Sequence, residues 1–371
     1  MTEFHLYHFI WLASAACGVW FFPIRYHADI IASITGLFLI VFSPLSALLL
    51  FTSSLLVYRL AASKHRSHHL TVLTGVIYCG LQFFLIRGLQ LYQYNLGVQI
   101  PTVMGLAYYT CRHIHYIIEV FQGNIKPDFR QYLRYQFFLP AMLAGPIHRY
   151  ANFQRQSSRR RLDKKQISNA LERILYGYVK IVVLGNYFIA WEVELRRVAL
   201  DLNGFMTLWL ESVQGWIYLY FQFSGWTDVA IGFALLMGFR LEENFNWPIR
   251  AVNLMDFWRR WHMTLSAWCR DYVFTPTMAA TRKPSISVGA AMVAMGLWHE
   301  LSLAYILWGI YHALGIAFAQ RFIVLVRNYN FLQLLTSSRA WTPVARVLTF
   351  NFIVMGGPVV TWVKLWMGIP S

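Results

Sequence analysis

The sequence predicts an all-α, polytopic integral membrane protein, and three observations carry that prediction. Of 371 residues, 57% are hydrophobic and only 13% charged, and a mean hydropathy of +0.44 is too apolar for a soluble globular chain. Apolar runs of about 20 residues, the length that crosses a bilayer core, recur along the chain. The 32 Lys and Arg, for a formal net charge of +16, are spread over the segments between those runs instead of forming one tail. That placement fits the positive-inside rule and anionic lipid, and it argues against a nucleic-acid partner.

Taken in order, residues 4–22 read as a first span closed by Pro23 and Arg25. Glu3 is the only fully charged residue before Arg25 and no cleavage site follows, so this segment reads as a retained span and not a signal peptide. Residues 30–58 are apolar for too long to be one simple span, and Pro44 divides them into two shorter helices. After a basic loop at 59–69 come a span at 70–86 and a polar-dotted one at 98–121, which carries Arg112, His113, His115 and Glu119. Residues 132–147 follow as a further candidate span. A cationic loop containing Arg155, Arg159, Arg160, Arg161, Lys164 and Lys165 is the best cytoplasmic marker. Residues 167–191 form the next span, and 205–239 form one long helix or two broken near Gly225. Residues 285–298, 303–326 and 345–366 supply the last, for a total of roughly nine to eleven spans. Three candidate spans separate the two basic loops, so both are cytoplasmic only if one segment is re-entrant. No internal repeat, Gly/Ser linker or low-complexity tail is visible, and the chain reads as a single membrane-embedded domain over 1–371.

Residues 256–276, DFWRRWHMTLSAWCRDYVFTP, stand out. On a helix, Trp258, Trp261, Leu265, Trp268 and Tyr272 fall three and four apart and form one apolar stripe, with Arg259, Ser266 and Arg270 on another face. Each mid-membrane arginine costs about 2.5–3.5 kcal/mol on insertion scales. The stretch is therefore expected to lie in the interface or to pack beside a polar cavity. A surface amphipathic helix is the bland alternative; the density of Trp, Arg and His favours a site wall.

His299 is the first candidate for chemistry. Fourteen residues from Ser285, at about 1.5 Å each, place it roughly 20 Å into an apolar core about 30 Å thick. Adjacent His299 and Glu300 at that depth are expensive unless they line a cavity, and neutral imidazole is suited to accept a proton near neutral pH. A buried histidine bonded to a neighbouring helix is the ordinary alternative. His262 edges the aromatic stripe, where it either touches substrate, supports His299 or makes a structural hydrogen bond. Asp228, in SGWTD, is an acid flanked by apolar sequence and so a functional hypothesis, with an ion pair to an interior arginine as the equal alternative. Arg259, Arg260 and Arg270 suit bidentate binding of phosphate or carboxylate, or simple charge balance with lipid headgroups.

Of two metal readings one fails and one weakens. HELSL at His299 starts like HExxH, but Leu303 stands where the second ligand belongs. His65, His68 and His69 have helical metal spacing yet sit among Lys and Arg. Cys17, Cys79, Cys111 and Cys269 are far apart and form no CxxC, so neither a disulfide framework nor a thiolate site is expected. Cys269 as an acyl carrier is the remaining long shot.

FWRRWHMTLSAWCRDYVF (257–274), MGLWHE (295–300) and LWGIYH (307–312) together resemble the membrane-bound O-acyltransferase family, in particular its bacterial branch. FSGWTDVAIGFALLMGF (223–239), ENFNWP (243–248) and LAGPIHRYANF (143–153) extend the resemblance over roughly the last two-thirds of the chain. Residues 101–371 would then be the family core and 1–100 less typical spans. The resemblance implies a fold around a central tunnel and places the family's catalytic histidine at His299, beside Trp298; His312 matches a recurring family histidine. The family commonly shows glycine after the catalytic histidine, where this chain has Glu300, which puts donor and acceptor specificity in doubt. The resemblance further implies acyl transfer from a cytoplasmic thioester, acetyl-CoA or an acyl carrier protein, to a hydroxyl reached from the far side of the cytoplasmic membrane, with no bound cofactor and no metal.

On that reading His299 is the base, His262 or Asp228 supports it, and Arg259 and Arg260 lie near the donor entrance. An acyl-histidine intermediate stays open. An extracytoplasmic acyltransferase partner is expected alongside membrane lipid. Acetylation of a cell-envelope polysaccharide is the preferred outcome, D-alanyl transfer to teichoic acid the next. A transporter or flippase of lipid-linked glycan, and a scaffold for a soluble partner, are the other classes that share the spans, interior charges and basic loops.

Overall fold

The computed structural model describes residues 2–63, 68–96, 101–158, 164–187 and 204–367. Among these residues every regular element is helical. His65, Arg159, Arg160 and Arg161 of the basic loops, and the last four residues of the expected 167–191 span, lie outside the described residues. Among the described residues, five helical stretches are long and apolar enough to cross a membrane: Ile24–Phe42, Pro44–Ala62, His69–Gln90, Leu303–Asn328 and Trp341–Trp366. The chain, read from the sequence as one domain, splits into two compact units, Met1–Tyr178 with Trp226–Glu242, and Val179–Gly225 with Glu243–Ser371.

The first unit opens with α1 (Thr2–Gly18), α2 (His27–Phe42), α3 (Pro44–Ala62), α4 (His68–Leu96) and α5 (Leu106–Phe121). Pro44 divides the long apolar run as expected, since it fits the first turn of α3 and cannot continue α2. Helix α5 runs parallel to α3, as three successive contacts establish. Met104 N donates to Ser46 Oγ (2.8 Å), His113 Nε2 meets Ser53 Oγ (3.0 Å), and Ile117 reaches the Leu60 level beside Gly75. Of the polar dots of this segment, His113 thus makes a helix-to-helix bond, which in lipid replaces water.

The expected span at 132–147 is not a span. Helix α6 (Phe129–Gln136) starts at the C-terminal end of α3, where the Phe129 and Tyr58 rings lie 4.9 Å apart and Arg130 and Arg134 clasp Asp29 of α2. The chain then enters the unit: Leu139 N donates to Thr35 Oγ1 in mid-α2 (3.2 Å), and Met142 packs on Gly105 at the start of α5. It turns back so that Tyr150 N, opening α7 (Tyr150–Ser158), donates to His115 Nε2 (3.0 Å). Pro140 and Pro146 cannot sit inside a continuous helix, so this apolar run folds as a re-entrant loop. Irregular backbone at this depth needs partners from the protein. The fully buried Arg112 donates from Nη1 to Tyr135 O (2.9 Å), and Tyr135 Oη donates to His148 O (2.8 Å). Helix α8 (Lys164–Tyr178) completes the run before a π-helical stretch at Val179–Tyr187.

Helix α9 (Gly204–Leu236) is continuous through Gly225, giving residues 204–225 to the second unit and 226–236 to the first. The second unit continues with α10 (Leu254–Trp258), α11 (Met263–Cys269), α12 (Thr275–Thr281), α13 (Pro284–His299), α14 (Leu303–Asn328), α15 (Asn330–Ser337), α16 (Trp341–Val354) and α17 (Gly356–Trp366).

Candidate functional site

Helices α13 and α14 form a tight hairpin that fixes where His299 sits. A Cβ on Gly309 would come within 2.6 Å of Met292 O, and one on Gly296 would collide with Tyr305 O, so the two backbones touch. These contacts set an antiparallel register of 296 against 305 and 292 against 309. Helix α13 has 16 residues, about 24 Å at 1.5 Å each, short of the ~20 residues a span needs. It stops at His299, Glu300 turns extended (φ −153°), and Ser302 caps α14 by accepting from Tyr305 N. Broken backbone at membrane depth is stable only inside protein or against a cavity.

A cavity is present there. It has a volume of about 570 Å³, and its walls include Glu211, Ser212, Trp216 and Phe223 of α9, Phe257, Trp258 and Trp261, and His299, Tyr305, Trp308 and His312. The imidazole of His299 is ringed by Trp298 (5.0 Å between centroids), Trp308 (5.7 Å) and Tyr305 (5.9 Å). Trp308 in turn packs on His312 at 4.4 Å, and Trp258 closes on the same ring at 5.3 Å. Tyr305, Trp308 and His312, spaced three and four apart, present one face of α14 to the cavity. That spacing was readable in the sequence, but only His312 was singled out from it. Glu211, like Asp228 an acid within an apolar run, carried a signal that the sequence reading passed over, while Ser212 and Trp216 stand in no motif.

The aromatic stripe is buried as the sequence predicts: Trp258, Trp261, Leu265 and Trp268 are all inside. The single helix expected under it is absent. His262 adopts a left-handed conformation (φ +42°) between α10 and α11, and the chain bends there. The bend is held by a distant segment. Asn246 N donates to Arg260 O (2.9 Å), Met263 N donates to Asn244 O (2.9 Å), and Thr264 Oγ1 donates to Asn244 Oδ1 (2.6 Å). The two asparagines of ENFNWP thus shape the site wall, a role no local pattern discloses.

The bend packs the His262 ring edge-on to Phe223 (4.6 Å) and against Trp298 (5.5 Å). His262 Nε2 is buried with no hydrogen-bond partner among the described residues. Burial, and then the proximity of His299, hold this imidazole well below the usual imidazole range, so it is a neutral ring. Trp298 lies between His262 and His299.

The other candidates sit elsewhere. Glu300 Oε2 accepts from Lys364 Nζ of α17 (2.9 Å), a cross-helix pair beside the cavity that the sequence reading missed on the lysine side. Arg260 donates to Asp256 (2.8 Å) and to Asn246 O, so it ties the bend; Arg259 is exposed; neither is among the cavity walls. Asp228 belongs to the first unit, where Arg173 pairs with it at 2.9 Å. Burial pushes the Cys269 thiol up to about 12, the wrong direction for a thiolate acyl carrier. No cluster of three metal-ligating side chains occurs among the described residues.

An imidazole in an aromatic-walled cavity, with two further histidines close by, is suited to take a proton from a hydroxyl. The model of the "MBOAT, membrane-bound O-acyltransferase family" matches residues 121–357. The sequence is 32% identical over 260 residues to a "Probable alginate O-acetylase AlgI" of Pseudomonas fluorescens, covering 68% of this chain and 50% of that protein. It is 30% identical over 275 residues to the teichoic acid D-alanyltransferase of Bacillus subtilis, with 68% and 67% covered. It is 26% identical over 283 residues to the peptidoglycan O-acetyltransferase of Helicobacter pylori, with 67% and 52% covered. The chain spans about half the length of the alginate O-acetylases it matches.

Proposed function

Because the chain belongs to the membrane-bound O-acyltransferase family, we propose that it transfers an acyl group from a thioester to a hydroxyl, with His299 as the general base. The observation that carries this reading is the end of α13. A helix too short to cross stops at a histidine that faces an aromatic-walled cavity. Neutral His262 and Trp298 back His299, and His312 lines the same cavity. A positioned base contributes about 10²–10⁴-fold to such a reaction.

The donor on this reading is a cytoplasmic thioester, acetyl-CoA or an acyl carrier protein, and the acceptor is reached from the far side of the cytoplasmic membrane. The names of the relatives, two of them acetyl-transferring, support O-acetylation of an envelope polymer ahead of D-alanyl transfer. An extracytoplasmic acyltransferase partner is part of the same proposal.

The purified chain, incubated with labelled acetyl-CoA and acetyl-loaded carrier protein, is expected to consume the thioester. His299→Ala is expected to reduce consumption at least 100-fold, in line with the loss of a general base, with the same elution profile. Full consumption by a monodisperse His299→Ala protein, or an intact thioester with transport of a lipid-linked glycan, overturns the reading.

A further inference from the structure

The second unit has another cavity, larger than the one around His299. It is an apolar groove of about 980 Å³ that follows α14 from Tyr311 to Arg327, with Trp341 and Phe352 of α16 on its other side. Sixteen residues of rise make it about 24 Å long, the extent of a stretched acyl tail. The register of the α13–α14 hairpin explains why it is open. Since 296 faces 305 and 292 faces 309, paired numbers sum to 601, and Pro284 at the start of α13 faces residue 317. The last eleven residues of α14, 318–328, therefore run on without α13 beside them.

Both walls belong to stretches that are long and apolar enough to cross a membrane, Leu303–Asn328 and Trp341–Trp366. The groove therefore lies at bilayer depth, where apolar volume takes hydrocarbon and not water. One end carries Arg327 and Trp341, the residue types of a membrane interface. The other is floored by Leu254 and Phe352, which crowd Gly315. Charge sets the headgroup. Residues 301–371 contain Arg321, Arg327, Arg339, Arg346 and Lys364 and no acid at all, and Lys364 is taken by Glu300. Arg327, for which no acidic partner stands among the described residues, is a cation at the mouth of a hydrocarbon groove and fits a phosphodiester anion.

We infer that this groove is a binding site for an anionic phospholipid, one acyl chain lying along α14 and the phosphate at Arg327. The site is independent of the acyl-transfer reading. Its test is native mass spectrometry of the delipidated full chain titrated with phosphatidylglycerol and with phosphatidylcholine of identical chains. The wild type is expected to retain phosphatidylglycerol at least threefold better. Ala319→Trp, or Ile323→Trp should the first variant not be monodisperse, fills the groove and is expected to remove that bound lipid. Arg327→Gln is expected to equalise the two lipids while chain binding persists, and soluble glycerophosphoglycerol is expected not to compete. Equal retention of both lipids by the wild type, or a preference unchanged in the groove-filling variants, shows only annular lipid and overturns the site. Competition by the soluble headgroup overturns the role of the chain.

Discussion

At the residue scale, His262 joins two costs: a left-handed backbone on a non-glycine residue and a buried ring nitrogen without a hydrogen bond. Each is of order 1–3 kcal/mol, and such features persist where the surroundings over-determine them. Here the surroundings are Asn244, Asn246, Phe223 and Trp298. The titration of His262 gives a prediction with a definite sign. Its folded pKa is depressed, whereas the unfolded chain takes up a proton near the ordinary value of 6.5. The unfolded state therefore binds more protons below that pH, so the contribution to stability is complete above about 6.5 and is lost as pH falls, by about 1.4 kcal/mol per pH unit. His262→Asn keeps a residue that tolerates left-handed backbone but cannot titrate. Thermal midpoints of the detergent-solubilised protein between pH 7.5 and 5.5 are expected to fall less steeply in the variant than in the wild type. Parallel slopes would mean that this imidazole takes up its proton as readily in the folded state as in the unfolded chain.

At the element scale, the α13–α14 hairpin was the most legible part of the chain. Pro284 starts one helix, Glu300 to Ser302 interrupt it, and the apolar runs at 285–298 and 303–326 match the observed 284–299 and 303–328 closely. Its packing rests on backbone contact at Gly296 and Gly309, which makes a matched pair of substitutions informative. Gly309→Ala forces a Cβ onto Met292 O, an overpacking expected to cost about 1–3 kcal/mol, and it displaces the helix that carries Trp308 and His312. Gly289→Ala, in the same hairpin, meets nothing within 4 Å and is expected to be neutral or slightly stabilising. The thermal midpoint should drop for the first and not the second, and thioester consumption should drop with it. Equal midpoints would mean the hairpin is looser than the contacts require. The 256–276 stretch was less legible for a physical reason. A stripe of aromatics spaced three and four apart satisfies one straight helix and also two short ones, and the choice was made by Asn244 and Asn246 elsewhere in the sequence.

For the whole molecule, the sequence left an odd count of three candidate spans between the basic loops at 59–69 and 155–165, which forbids both from sharing a side of the membrane. Hydropathy could not resolve this, because a re-entrant segment and a span are equally apolar. What separates them is the partnering of backbone groups by side chains far away in sequence, Thr35, Arg112 and His115, with Tyr135 Oη closing the loop on His148 O. With 132–147 folded as a re-entrant loop, two segments run between the two loops: α4, and residues 102–121, where the non-helical stretch before the sixteen-residue α5 extends it to the level of Ser43 and Ser46 at the start of α3. Helix α5 runs parallel to α3, so its end at Phe121 returns to the side where α3 ends, and the Tyr58–Phe129 contact keeps α6 there. The cationic loops at 59–69 and 155–165 then share one side, as the positive-inside rule asks, and the cation left near the far end of α4, Arg87, lies over the Phe83 ring. Single cysteines at Ser63, Gly123 and Ser157, in a background with Cys17, Cys79, Cys111 and Cys269 replaced by alanine, are expected to share one labelling pattern in intact cells. All three should resist a membrane-impermeant maleimide until the cytoplasmic face is opened. Labelling of position 157 from the side opposite to position 63 would restore a third crossing, and with it the span that Pro140 and Pro146 argue against.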